Sequence, residues 1–272
     1  MYKKLSFKWI PGLFCFLLLA VSCTDNPSTI DNKPPKLPTA ESMNMDFSTF
    51  QNNQKSASAE FQATDNFGHA VGAALIMKGI VELNLAIPKA LLMAASNADA
   101  ELNNNEKWEW SYSKTTDNNT FEVRLVASRD GGGAVTWDCY VTNSQLGLDD
   151  QLFFSGTTNA DGTEGVWTYY NLLNTDAREE VSQTNWTVNG EDDVSLKLEV
   201  TSDRNNNSGD YIEYSFDGTL KTGTYYDASS DETTEIQINV DTNVGYFISP
   251  NYNEGMQSCW DASFQDIACG EL

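Results

Sequence analysis

The stretch V-S-L-K-L-E-V, Val194 to Val200, alternates without a break. Val194, Leu196, Leu198 and Val200 fall on one side, and Ser195, Lys197 and Glu199 on the other. A period of two sends successive side chains to opposite faces of an extended chain, so this segment reads as a strand with one buried and one wet face. F-E-V-R-L-V-A behaves alike, with Phe121, Val123, Leu125 and Ala127 opposite Glu122 and Arg124. W-E-W-S-Y groups Trp108, Trp110 and Tyr112. Ile212, Tyr214 and Phe216 form another such set, as do Ile236, Ile238 and Val240. Strands wet on one face belong to antiparallel sheets. From Trp108 onward about ten or eleven such segments follow one another, roughly 8 to 15 residues apart, which is the spacing of a meander, sandwich or barrel. Their outward faces are charged, which excludes an outer-membrane barrel, whose outer face is greasy.

Two of the connections repeat. D-G-T-E-G-V-W-T-Y-Y (Asp161 to Tyr170) and D-G-T-L-K-T-G-T-Y-Y (Asp217 to Tyr226) each lie between two strand patterns. Asp-Gly is a hairpin signal because the turn needs a positive φ that Gly adopts without steric cost. Both are read as structural corners. Earlier, M-N-M-D-F-S-T-F (Met43 to Phe50) alternates Met43, Met45 and Phe47 against polar partners and predicts a first strand.

Between that segment and Trp108 the pattern changes. Phe67 to Asn97 is rich in Ala, Leu and Met, and only His69, Lys78, Glu82 and Lys89 can carry charge. This is helical composition. Pro88 is expected to split it in two, because proline suits a first turn and not a helix interior. Apolar on most of its circumference, the helix should be buried nearly all round. Lys78 and Glu82 at mid-segment argue against a membrane span. The expected fold class is mainly β (α+β): a curved antiparallel meander sheet or half-barrel packed on one or two buried N-terminal helices. In outline it is similar to the half-barrels of periplasmic lipoprotein carriers.

The start of the chain has a different character. Lys3, Lys4 and Lys8 precede an apolar run from Trp9 to Val21, and the run closes A-V-S-C at Cys23. A basic start, a short apolar stretch and small residues before a cut site describe an export signal, too short to span a bilayer comfortably. The segment resembles the lipobox of bacterial lipoprotein precursors, in which the Cys is acylated and becomes the first residue of the mature protein. That resemblance implies lipidation at Cys23, a membrane partner through its acyl chains, and a place in the bacterial cell envelope, with the outer membrane favoured. Residues 1–22 are then the signal peptide. Residues 23–40, with four of the seven prolines, form a tether that cannot bury enough apolar area to fold. Residues 41–272 are one β-rich domain.

Removing a leader with three Lys and no acid takes the net charge from −23 to −26. Such a field repels phosphate backbones, so no nucleic-acid partner is expected. Cys259 and Cys269 are expected to form a disulfide, because exported proteins sit where disulfides persist. Cys139, on one face with Val135, Trp137 and Val141, reads as a small apolar core residue.

Candidate chemistry is sparse. His69 is the only histidine, and a Ser-His-Asp or Cys-His mechanism would have to use it. It stands beside Gly68 at a helix start and reads as a buried or capping residue. One His and one spare Cys leave a zinc site short of ligands. Asp203 to Asp210 looks like a calcium loop, but Gly209 is seventh and Tyr214 twelfth, so the EF-hand pattern fails. Arg129 to Ala134 lacks the Lys-Ser/Thr of a phosphate loop. No catalytic residue, metal site or cofactor is therefore expected. What remains is aromatic density, with 7 Trp, 11 Tyr and 13 Phe. Inward Trp110 and Trp137 are the candidate ligand contacts. The expected function is that of a membrane-anchored, exported lipoprotein: a non-enzymatic binding or structural envelope protein, holding a hydrophobic ligand between sheet and helices. A cell-surface glycan-binding protein or glycan hydrolase is the alternative.

Overall fold

The computed structural model describes residues 33–50, 65–116, 119–173, 178–203 and 206–271. The expected signal peptide and Cys23 lie outside them. The fold class is as read from the alternation: a mainly β protein built on one antiparallel meander sheet. Its first seven strands are β1 (Ala100–Leu102), β2 (Trp108–Thr116), β3 (Asn119–Arg129), β4 (Val135–Asn143), β5 (Leu148–Thr158), β6 (Glu164–Tyr170) and β7 (Glu180–Val188). They continue as β8 (Val194–Val200), β9 (Tyr211–Phe216), β10 (Leu220–Asp227), β11 (Glu232–Asn239), β12 (Gly245–Ile248), β13 (Ser258–Trp260) and β14 (Asp266–Ile267). Each pairs with the next in sequence, and β1 does not pair with β14, so the sheet is open. The count exceeds the ten or eleven expected because β1, β13 and β14 are too short to show alternation.

Both Asp-Gly corners are hairpin turns, joining β5 to β6 and β9 to β10. Gly162 has φ +65° and Gly218 φ +89°, the left-handed region that favours glycine. Asp217 caps its turn by accepting from the Thr219 and Leu220 amides. Elsewhere the sheet bends by bulges, at two places between β4 and β5 and one between β6 and β7.

A second device recurs three times. Gly156 on β5 faces Trp167 on β6, Gly165 on β6 faces Trp186 on β7, and Gly245 on β12 faces Trp260 on β13. In each pair a Cβ on the glycine would collide with the indole and with a backbone carbonyl of the neighbouring strand. The missing side chain lets the indole lie across the backbone. All three Trp are buried on the inner face. Glycine kinks covered by cross-strand aromatics are a general way to curve a sheet around its contents.

Those contents come from the N-terminal half. Helix α1 (Asn66–Ala94) runs uninterrupted through Pro88 and ends in a 3-10 turn, Ala95–Asn97. The predicted split does not occur. Pro88 is itself buried, as are Leu85, Leu91 and Leu92, so its ring adds apolar burial in a helix where an interior proline costs roughly 3 kcal/mol. The helix packs against β2 at one end and β10–β13 at the other. Burial nearly all round is also overturned: Phe67, Ala70, Val71, Ala74, Met77, Val81, Leu85, Leu91 and Leu92 face inward, but Ile76 is 62% and Leu83 89% exposed. An open sheet has one concave face, so a single helix can be covered on one side only.

The predicted first strand at Met43 to Phe50 is a 3-10 turn, Ala40–Met43, followed by chain outside the sheet. Its alternation is nevertheless real burial: Met43, Met45 and Phe47 all enter the core. The turn packs on β7, β8 and α1. Phe47 meets Tyr214 edge to face at 5.5 Å. Packing on the body begins within the expected tether, since Pro35 and Pro38 are buried and Arg129 Nη1 donates to the Lys33 carbonyl at 3.4 Å.

Candidate functional site

The start of α1 is fastened more firmly than its length requires. Asp65 caps it, its carboxylate accepting from the Gly68 amide at 2.6 Å. Asn66 then makes three distant hydrogen bonds. Its amide donates to Asp266 Oδ1, its Nδ2 donates to the Cys259 carbonyl, and its Oδ1 accepts from the Tyr252 hydroxyl. Cys259 and Cys269 are joined by the disulfide, so a covalently closed loop holds the helix start. Phe67 packs against Trp260 and Phe264 beneath it. Further along, the Tyr112 hydroxyl donates to the Leu91 carbonyl at 2.7 Å. A helix fixed at both ends can bridge a gap without collapsing into it.

A gap is present on the flank facing β10–β12. It is a cleft of about 490 Å³, within the range of small-ligand sites. Gly68, His69, Gly72, Ala73, Ile76 and Met77 line it from the helix. Tyr225, Thr234, Phe247 and Ser249 line it from the strands. The two glycines and the alanine leave the width; a Cβ on Gly72 would meet nothing within 4 Å. Phe247 and Met77 are buried at its base, while exposed Ile76 continues its apolar wall onto the outer surface of the helix.

His69 stands at one end. Its ring lies against Tyr252 at 4.0 Å and runs nearly parallel to Phe247 at 6.0 Å. The backbone amide of His69 bonds the Asp65 carbonyl, while its ring nitrogens hold no hydrogen bond to the described residues. The Tyr225 hydroxyl donates to Asp210 Oδ2 at 3.2 Å. Burial, with Asp210 beside it, pushes that hydroxyl up to about 12, so it remains a donor.

The opposite flank of α1 carries a cleft of about 360 Å³ with Asp46, Lys78, Glu82 and Lys89 among its lining residues. Its charges are already engaged. Lys78 pairs with Glu82 at 3.6 Å, Lys89 donates to Asn44 Oδ1 at 2.8 Å, and Lys221 donates to Asp46 Oδ2 at 2.6 Å. Satisfied groups hold structure and have little left for a ligand, which favours the cleft beside His69 over this one.

Trp110 and Trp137, the candidate ligand contacts, are buried side by side at 5.8 Å on β2 and β4, and Trp137 Nε1 donates to Thr158 Oγ1. They lie in the core and are not among the residues lining the cleft. Cys139 is buried beside them with a free thiol, which burial and Asp138 push far up. Asp210, from the loop considered for calcium, accepts from the Tyr225 hydroxyl and the Ala228 amide. Among the described residues no group of three or more His, Cys, Asp or Glu is placed to hold a metal ion.

The glycan alternative calls for a free aromatic strip or two facing carboxylates. Three half-buried aromatics on the sheet are engaged: Arg124 covers Tyr140 at 4.2 Å, and Lys197 covers Tyr211, which stacks on Tyr226. Asp46, Asp217 and Asp227 are held below the usual carboxylate range. At Asp217 and Asp227 accepted hydrogen bonds are the cause, and at Asp46 such bonds outweigh burial. These three are therefore not displaced in the direction a general acid requires. Comparison with protein-family models, with curated proteins and with solved structures gave no match to this chain.

Proposed function

We propose that this protein is a lipid-anchored, exported binding protein of the bacterial envelope, which holds an apolar ligand in the cleft between α1 and β10–β12 and carries out no covalent chemistry on it. The observation that carries the reading is the cleft itself. It is apolar at its base, it is kept open by small residues on a helix tethered at both ends, and it carries a few polar groups with hydrogen-bonding capacity to spare. That combination is what small-molecule sites share. The lipobox-like leader supports the anchor. An acylated Cys23 would hold the protein at a bilayer, where apolar ligands are found.

The test is native mass spectrometry of the non-acylated Cys23→Ser protein, purified without detergent. Binding of one hydrocarbon-chain ligand per chain is expected. Ala73→Trp, which fills the cleft from the helix side, should abolish it while leaving the circular dichroism spectrum unchanged. If the unaltered cleft takes up neither a co-purified lipid nor an added decyl-chain compound at millimolar concentration, the reading is wrong.

A further inference from the structure

We infer that the cleft selects an uncharged amphiphile: a single hydrocarbon chain ending in a hydroxyl, or in another head that both donates and accepts hydrogen bonds. The inference rests on the cleft being the binding site and specifies what that site recognises.

Two rows of residues carry it. Gly223, Ile236 and Phe247 face one another across β10, β11 and β12 and form an apolar row. Met77 of α1 lies over this row, its sulfur 3.2 Å from the position a Gly223 Cβ would take. Two residues along each strand, on the same face, Tyr225 pairs with Thr234, and the Thr234 hydroxyl faces Ser249 at 3.4 Å. This second row is polar. His69 lines the cleft as well, its ring against Tyr252 at 4.0 Å and nearly parallel to Phe247 at 6.0 Å. A ligand in the cleft therefore meets hydrocarbon along one row and hydrogen-bonding groups along the other.

The kind of head follows from what those groups can offer. Ser249 accepts from Thr234, which leaves its own hydroxyl proton to donate. The His69 side chain carries two ring nitrogens, a group type that can both donate and accept, and neither bonds another described residue. Donor and acceptor together match a hydroxyl, which is itself both. A carboxylate or phosphate only accepts. It would also find no Lys or Arg on the lining, Asp210 behind Tyr225, Asp65 and Asp266 near Tyr252, and a chain of net charge −23. Rejection of an anionic head by unmatched polar groups and a like-signed field should amount to at least a tenfold difference in affinity.

The experiment is displacement of N-phenyl-1-naphthylamine, an uncharged fluorescent reporter, from the Cys23→Ser protein at pH 8. Decan-1-ol, decanoate and decyltrimethylammonium serve as competitors with one chain length and three heads. Decan-1-ol should displace the reporter at a concentration at least about tenfold below decanoate, and also below decyltrimethylammonium, whose head neither donates nor accepts a hydrogen bond. His69→Phe keeps the ring against Tyr252 but removes both nitrogens. It should still bind the reporter, with the preference for the alcohol reduced to about threefold or less. A reporter that never binds would remove the cleft reading and this inference together. A reporter displaced equally or better by decanoate or by decyltrimethylammonium would overturn the uncharged head and leave the cleft standing. An alcohol preference unchanged in His69→Phe would overturn the assignment of the head group to His69.

Discussion

The same substitution, glycine to alanine, should act with opposite sign at two places in this protein. At Gly245 the added methyl would run into the Gln237 carbonyl oxygen and the indole of Trp260 on the paired strand. Trp260 has no room to retreat. It is fully buried, its Nε1 donates to the Asn243 carbonyl at 2.7 Å, and its ring packs on Phe67 at the start of α1. Overpacking typically costs about 1–3 kcal/mol, and losing the indole hydrogen bond adds about 1 kcal/mol. Gly245→Ala should therefore destabilise by about 2–4 kcal/mol. At about 2–4 °C per kcal/mol for a chain of this size, the melting temperature should fall by roughly 5–15 °C. Gly79 sits in the middle of α1, and a Cβ there would meet nothing within 4 Å. Removing the glycine lowers the entropy of the unfolded chain and favours the helix, so Gly79→Ala should stabilise by about 0.5–1 kcal/mol. Urea unfolding followed by tryptophan fluorescence gives both values on one scale. A Gly245→Ala protein within about 0.5 kcal/mol of the parent would refute the view that glycine–tryptophan pairs let the sheet curve.

Other expectations follow from single contacts. Burial pushes the Asp46 carboxyl up, but hydrogen bonds from Lys221 and Ser48 more than offset it and hold it below the usual range. A carboxyl lowered in the folded state stabilises above its unfolded pKa, near 4, and loses that contribution as pH falls through its folded value. Asp46→Asn should thus flatten the acid limb of stability below about pH 4 and, by stranding a Lys221 that is only 7% exposed, cost roughly 1–3 kcal/mol at pH 7; thermal melts across pH 2–7 check both. Reducing Cys259–Cys269, which closes a separation of 10 residues, should cost about 3 kcal/mol. In the non-acylated Cys23→Ser protein Cys139 should react with Ellman's reagent only after unfolding, because its thiol is fully buried. Leu83→Gln should leave stability within about 0.5 kcal/mol, whereas Leu85→Ala, two residues away but facing the sheet, should cost about 2–5 kcal/mol.

The strands were legible because alternation is a local record of which residues face the core. Val194 to Val200 states its own inner and outer faces with no help from its neighbours. The same logic misread Met43 to Phe50. Alternate burial marks what a segment packs against, and Met43, Met45 and Phe47 do pack, but the segment forms no ladder with the sheet. At α1, composition set the helix correctly and its surroundings wrongly. Ile76 and Leu83 are as apolar as Leu85 and Leu91, and only the open shape of the sheet decides which of them meets solvent. The cleft had no local signature, since it joins residues 68–77 to residues 225–249 across more than half of the chain. Gly68 and Gly72, one helical turn apart on either side of the only histidine, were the one visible trace of it.

The fastening of α1 also bears on the order in which the protein takes shape. Thirteen consecutive strand pairings, each between sequence neighbours, can zip together one hairpin at a time. The helix start cannot join them until Cys259 and Asp266 are present, because Asn66 bonds partners 193 and 200 residues further on. The cleft, made by a helix that ends at Ala94 and by three of the last five strands, is thus among the final features to form. A chain that crosses a membrane unfolded would acquire this cleft only after almost all of it has arrived.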